Sequence, residues 1–83
     1  MAVTRVRALV QVGLHELGLE NAVSLGERYL IRNGIFAGIE FRFEHVSAIY
    51  WVNDDQIKFV SNDGQVLKLL PIESGHEDAR RAA

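Results

Sequence analysis

The sequence predicts an α+β domain, with N-terminal helical segments packed on one face of an antiparallel β-meander of about four strands. Three observations lead there. Residues 4–17 place apolar side chains at three- and four-residue steps. Ile39, Phe41 and Phe43 alternate with Glu40, Arg42 and Glu44, the period of a half-buried strand. A polar turn cluster that runs directly into a β-type segment occurs twice, as Asn53-Asp54-Asp55-Gln56-Ile57 and Asn62-Asp63-Gly64-Gln65-Val66. Two successive hairpins need that arrangement.

In the first helix, Val6, Leu9, Val10, Gly13, Leu14 and Leu17 form one stripe, and Thr4, Arg7, Gln11 and His15 the other. Thr4 suits the N-cap, and Gly18 suits the C-terminal stop. Gly13 within the apolar stripe costs about 1 kcal/mol of helix propensity, so it predicts a close backbone contact.

Residues 20–33 read most simply as a second helix. Glu20, Ser24, Glu27, Arg28 and Arg32 make a polar stripe, Ser24 and Glu27 have capping-box spacing, and Asn33-Gly34 suits the end. As a strand, residues 28–32 would pair with 35–39 around an Asn33-Gly34 turn. That pairing sets Arg28 and Arg32 against Ile39 and Ile35 on an apolar face, which favours the helix.

Three-residue loops at 53–55 and 62–64 put Ile49, Trp51, Ile57, Phe59, Leu67 and Leu69 on one sheet face. Gly64 and Asp55 would take the left-handed position that closes each loop. The opposite face then holds the rows Ala48–Val60–Val66, Tyr50–Lys58–Lys68 and Val52–Gln56–Leu70, more aliphatic than a solvated surface requires.

Eighty-three residues make one small domain, near the lower size for independent folding, where oligomerisation adds stability. The domain is expected over residues 1–73, with a C-terminal tail over 74–83. The chain has no cysteine, which points to a reducing compartment, the cytoplasm. A net charge of −2 provides no strong overall field toward nucleic acid or membrane. The apolar N-terminal stretch is too short and too interrupted for a membrane span or signal segment.

Each histidine adjoins a glutamate, as His15-Glu16, Glu44-His45 and His76-Glu77. Neighbours on a regular element point apart, so no metal site or cofactor is expected, His45 being the best placed of the three. The acidic cluster at 53–55 has turn chemistry, without the spaced ligands of a calcium loop. No nucleophile elbow or phosphate loop is present, and no catalytic residue is assigned.

The stretch Leu30-Ile31-Arg32-Asn33-Gly34-Ile35-Phe36-Ala37-Gly38-Ile39, following a helix, resembles the first motif of Sm-like RNA-binding proteins, with one residue fewer between its two glycines. The resemblance implies a helix preceding a small, bent five-stranded barrel, and single-stranded RNA as ligand. Arg28, Arg32 and Arg42 would then be the contacts to nucleic acid.

The leading expectation is a small, non-enzymatic protein–protein interaction module that self-associates. Tyr50, Val60, Val66 and Lys68 form the expected contact, with Val52 and Leu70 at its margin. Single-stranded nucleic-acid binding is the alternative. A third reading, a ligand site lined by Trp51, Phe41 and Tyr29, competes with these aromatics being simply the core.

Overall fold

The computed structural model describes residues 3–72. The tail expected over 74–83, and His76 with it, lies outside the described residues. A helix α1 (Val3–Glu16) precedes five strands: β1 (Ser24–Arg32), β2 (Ile35–Phe43), β3 (Val46–Trp51), β4 (Gln56–Ser61) and β5 (Val66–Pro71). The strands form one antiparallel sheet in the order β1-β2-β3-β4-β5. The α+β class and the meander are as expected. The sheet is open, with β1 and β5 at opposite edges, so the barrel alternative does not hold.

Helix α1 buries Val6, Val10, Gly13 and Leu14 against the sheet. It ends in a Schellman motif at Gly18 (φ 75°): Gly18 N–H donates to His15 O at 3.0 Å and Leu19 N–H to Leu14 O at 2.7 Å. Two ion pairs tie the helix to both sheet edges. Arg7 donates to both carboxylate oxygens of Glu27 on β1, at 2.6 and 2.8 Å. Lys68 Nζ on β5 lies 2.7 Å from Glu16 Oε1.

The second helix is replaced by strand β1. Asn33-Gly34 is a two-residue turn with both φ positive, 55° and 76°, as a type I′ hairpin turn requires. The arginine objection disappears through a register shift between Leu30 and Ile31, which leaves Ala37 of β2 unpaired. Beyond it Arg28 opposes Glu40 instead of Ile39, and Tyr29 opposes Ile39. The bulged residue moves Arg28 from an apolar partner to Glu40, with which it ion-pairs, while Arg32, on the turn side of the bulge, keeps Ile35 as its partner and lies over Trp51.

The β3–β4 turn also differs from expectation. It spans four residues, 52–55, and Trp51 opposes Gln56. Asp54 and Asp55 N–H donate to Trp51 O at 3.2 and 3.0 Å, and Asp55 takes the left-handed conformation (φ 52°). One extra turn residue inverts β3, bringing Val46, Ala48 and Tyr50 to the helix face and Ile49 and Trp51 to the other. The β4–β5 loop starts as expected, with Val60 opposite Val66 and Gly64 left-handed (φ 92°). A bulge at Leu67 then sets Phe59 opposite Lys68 and Ile57 opposite Leu70.

The core therefore has two cross-strand rows beneath the helix. One runs Phe41–Ala48–Phe59, ending in Glu27 and Lys68 at the edges. The other is Ile39–Tyr50–Ile57–Leu70. Phe43, Val46 and Ile72 complete it.

Candidate interaction surface

The sheet face opposite α1 carries three rows. They are Arg42–Ser47–Val60–Val66, then Arg28–Glu40–Ile49–Lys58–Leu69, then Leu30–Gly38–Trp51–Gln56. No described element covers this face. The two halves differ in chemistry. The β1–β2 half is basic, with Arg28, Arg32 and Arg42. The β4–β5 half is aliphatic, with Val60, Val66 and Leu69 beside a half-buried Lys58.

The four expected contact residues separate across the sheet. Val60 and Val66 are on the outer face and opposite each other. Tyr50 is only 3% exposed and belongs to the core, because the four-residue turn inverts β3. Burial, with a smaller effect from Asp55, pushes its phenol above the ordinary value of 10.0. Lys68 is on the helix side and paired with Glu16, because the Leu67 bulge inverts β5. Of the marginal residues, Leu70 packs against the core, and Val52 lies in the β3–β4 turn, donating its N–H to Ala37 O at 2.9 Å.

The outer face gains Ile49, Trp51 and Leu69 in exchange. The four-residue turn turns Ile49 and Trp51 outward, and the Leu67 bulge turns Leu69 outward, where unbulged three-residue hairpins place all three on the core face. No alternation signal distinguishes the two options in β3, since Val46, Ala48 and Tyr50 are no more apolar than Ile49 and Trp51.

Edge strand β5 exposes Val66 (54%), Leu67 (41%) and Leu69 (50%). Its cation, Lys68, is held by Glu16. Edge strand β1 exposes Leu25, Tyr29 and Ile31, but it also bears Glu27, Arg28 and Arg32 and pairs with β2 through two register shifts. Charges and bulges blunt an edge against pairing. β5 has a bulge of its own at Leu67 and ends in Pro71, but it carries one charge against the three of β1 and one register shift against two, so between the two edges it is the less protected.

The three arginines of the nucleic-acid alternative share the outer face. Arg28 Nη2 is 2.6 Å from Glu40 Oε1. Arg32 lies over the Trp51 ring, 5.2 Å from its centroid, a cation–π contact. Arg42 is exposed. A cleft of about 380 Å³ opens at this end of the sheet, between the β1–β2 and β3–β4 turns, with Arg32, Phe36, Trp51 and Asp54 among its walls.

The aromatic trio of the ligand-site reading does not converge. Phe41 is core, Trp51 is on the outer face, and Tyr29 packs edge-on against Phe36 at 5.6 Å near the exposed end of β1. Among the described residues, no three His, Cys, Asp or Glu side chains gather as a metal site. No helix among them is long and apolar enough to cross a membrane. Comparison with protein families, with curated proteins and with solved structures gives no match.

Proposed function

We propose that this chain is a small, non-enzymatic interaction module that self-associates by pairing β5 with β5 of a second copy, extending the sheet across a two-fold axis. The observation that carries this reading is the open β5 edge. It presents Val66, Leu67 and Leu69, while its one charge is already neutralised by Glu16. Unpaired edges of this kind are templates for another strand, and a two-fold interface uses the same patch twice.

Electrostatics favours this edge over face-to-face stacking. Stacked outer faces would bring Arg28, Arg32 and Arg42 of two copies together. Pairing at β5 leaves β2 three strand spacings from the seam, so the two basic halves stand roughly 30 Å apart at about 4.8 Å per strand. That is well beyond a screening length of about 8 Å at physiological salt. Small size adds a motive, since a domain of this length gains stability from oligomerisation. The absence of cysteine agrees with work in the cytoplasm.

Light scattering coupled to size exclusion, over a range of concentrations, tests the reading. The wild type is expected as a dimer, and Leu69→Lys as a folded monomer. Val60→Lys, on the neighbouring strand, is expected to weaken the dimer by about tenfold, roughly 1.4 kcal/mol. A wild type that stays monomeric at every concentration overturns the proposal, as does a Leu69→Lys variant that remains dimeric.

A further inference from the structure

We infer that the basic part of the outer face is a platform for single-stranded nucleic acid. The inference goes beyond self-association and does not depend on it, because every residue it uses lies on one protomer. The chain has a net charge of −2, yet its charge is segregated. Arg28, Arg32, Arg42 and Lys58 all project from the face opposite the helix. The face rows hold one carboxylate against them. Glu40 sits between Arg28 and Ile49, its side chain 17% exposed and engaged by Arg28. Arg42 on β2 and Lys58 on β4 remain to meet phosphates, while Arg32 on β1 is engaged with Trp51.

The second element is a stacking surface. Arg32 lies over Trp51 with its Cζ 5.2 Å from the ring centroid, a cation–π contact that places a guanidinium beside an indole. Unstacked bases pack on aromatic rings and on arginine planes alike, at about 1–3 kcal/mol per base for an aromatic platform. Gln56, opposite Trp51, supplies an amide within the same row for a base edge. Asp54 in the adjoining cleft repels phosphate, so it directs the backbone toward Arg42 and Lys58 and leaves the base side at Trp51.

The form of the face selects a single strand over a duplex. Entering a duplex groove requires a protruding helix or ribbon, whereas these cations lie across a sheet face from which no element among the described residues projects. An open sheet that carries aromatic and basic side chains instead matches splayed bases with a backbone running alongside.

Fluorescence anisotropy of the full chain with a labelled uridine 12-mer tests this, at 50 and 200 mM salt. Two phosphate contacts, at Arg42 and Lys58, predict a logarithmic salt slope near −1.4, since each contributes about 0.7 on a single strand, and hence about sevenfold weaker binding at the higher salt. Arg42→Ala and Lys58→Ala should each reduce the slope by about 0.7, and Trp51 fluorescence should be quenched on binding. Far-UV circular dichroism confirms that both variants remain folded. Three outcomes overturn the inference. One is no binding at 50 mM salt. Another is a slope unchanged in both variants. The third is competition by polyglutamate as effective as by RNA with Trp51 unquenched, which would assign the face to an acidic protein.

Discussion

Gly13 of α1 rests directly on the ring of Phe59 in the central part of the sheet, so closely that a Cβ at Gly13 would overlap three ring carbons. Phe59 is fully buried, with Ala48 beside it on β3. The small residues at 13 and 48 together make the space the ring occupies. The helix can therefore come near enough for its ends to reach Glu27 on one edge strand and Lys68 on the other.

Gly13→Ala is expected to destabilise the domain by about 1–3 kcal/mol, although alanine is the better helix former by about 1 kcal/mol. Urea unfolding of Gly13→Ala, Phe59→Leu and the double variant checks the cause. If overlap is responsible, the double variant loses less than the sum of the two singles. Additive losses would remove the contact from the explanation.

Gly38→Ala should be more damaging than Gly13→Ala. The atom that a Cβ at Gly38 meets is the backbone carbonyl oxygen of Tyr50 on the adjacent strand. A ring can turn by a few degrees, but a paired carbonyl moves only if β3 moves. A loss of about 3 kcal/mol or more is expected, again read from the urea midpoint. An equal or smaller effect than at Gly13 would mean that β2 and β3 separate easily.

Periodicity made the helix, the strand alternation of β2 and the two C-terminal hairpins legible, and Gly13 signalled its close contact. Face assignment was not legible, for a definite reason. A period of two separates the faces of a strand without saying which one meets the core. That choice depends on single residues, namely the fourth turn residue at 52–55, the bulge at Leu67 and the bulge at Ala37. Each inversion left an apolar set on both sides, so hydrophobicity could not decide. Alternation counted from three-residue turns consequently puts Tyr50 and Lys68 on the outer face, where the structure has them on the helix side, while Val60 and Val66, joined to their turn before the bulge, are on the outer face in both. The helix expected over β1 had the same origin, since its rejection as a strand rested on a register that Ala37 breaks.

Substitution at Tyr50 and Trp51 distinguishes the two registers directly. Tyr50→Ala should cost about 3–5 kcal/mol, as for other buried aromatics, and Trp51→Ala less. Tyr50→Phe should remain within about 1 kcal/mol of wild type. The reverse order of the two alanine variants would restore the three-residue turn. The Tyr50 phenol titrates above its ordinary value of 10.0 because burial disfavours phenolate. Its neutral form is thus favoured by the native state, and stability is retained below pH 10 and lost as pH rises beyond it.

The Arg7–Glu27 pair predicts an acid-sensitive contribution of the opposite sign. The hydrogen bonds from Arg7, with its charge as a smaller cause, hold the Glu27 carboxyl below its ordinary value of 4.5. A carboxylate depressed in the native state stabilises it at pH values above 4.5, and that contribution disappears as pH falls through the native value. Both side chains are substantially exposed, so the effect is modest and weakened by salt. Glu27→Gln should lower the urea midpoint at pH 7 in low salt, and the difference from wild type should shrink in 1 M salt. The two proteins should then converge as pH falls below 4.5. A difference that persists at pH 2 would show that Glu27 acts through packing of its chain against α1, with its charge contributing nothing.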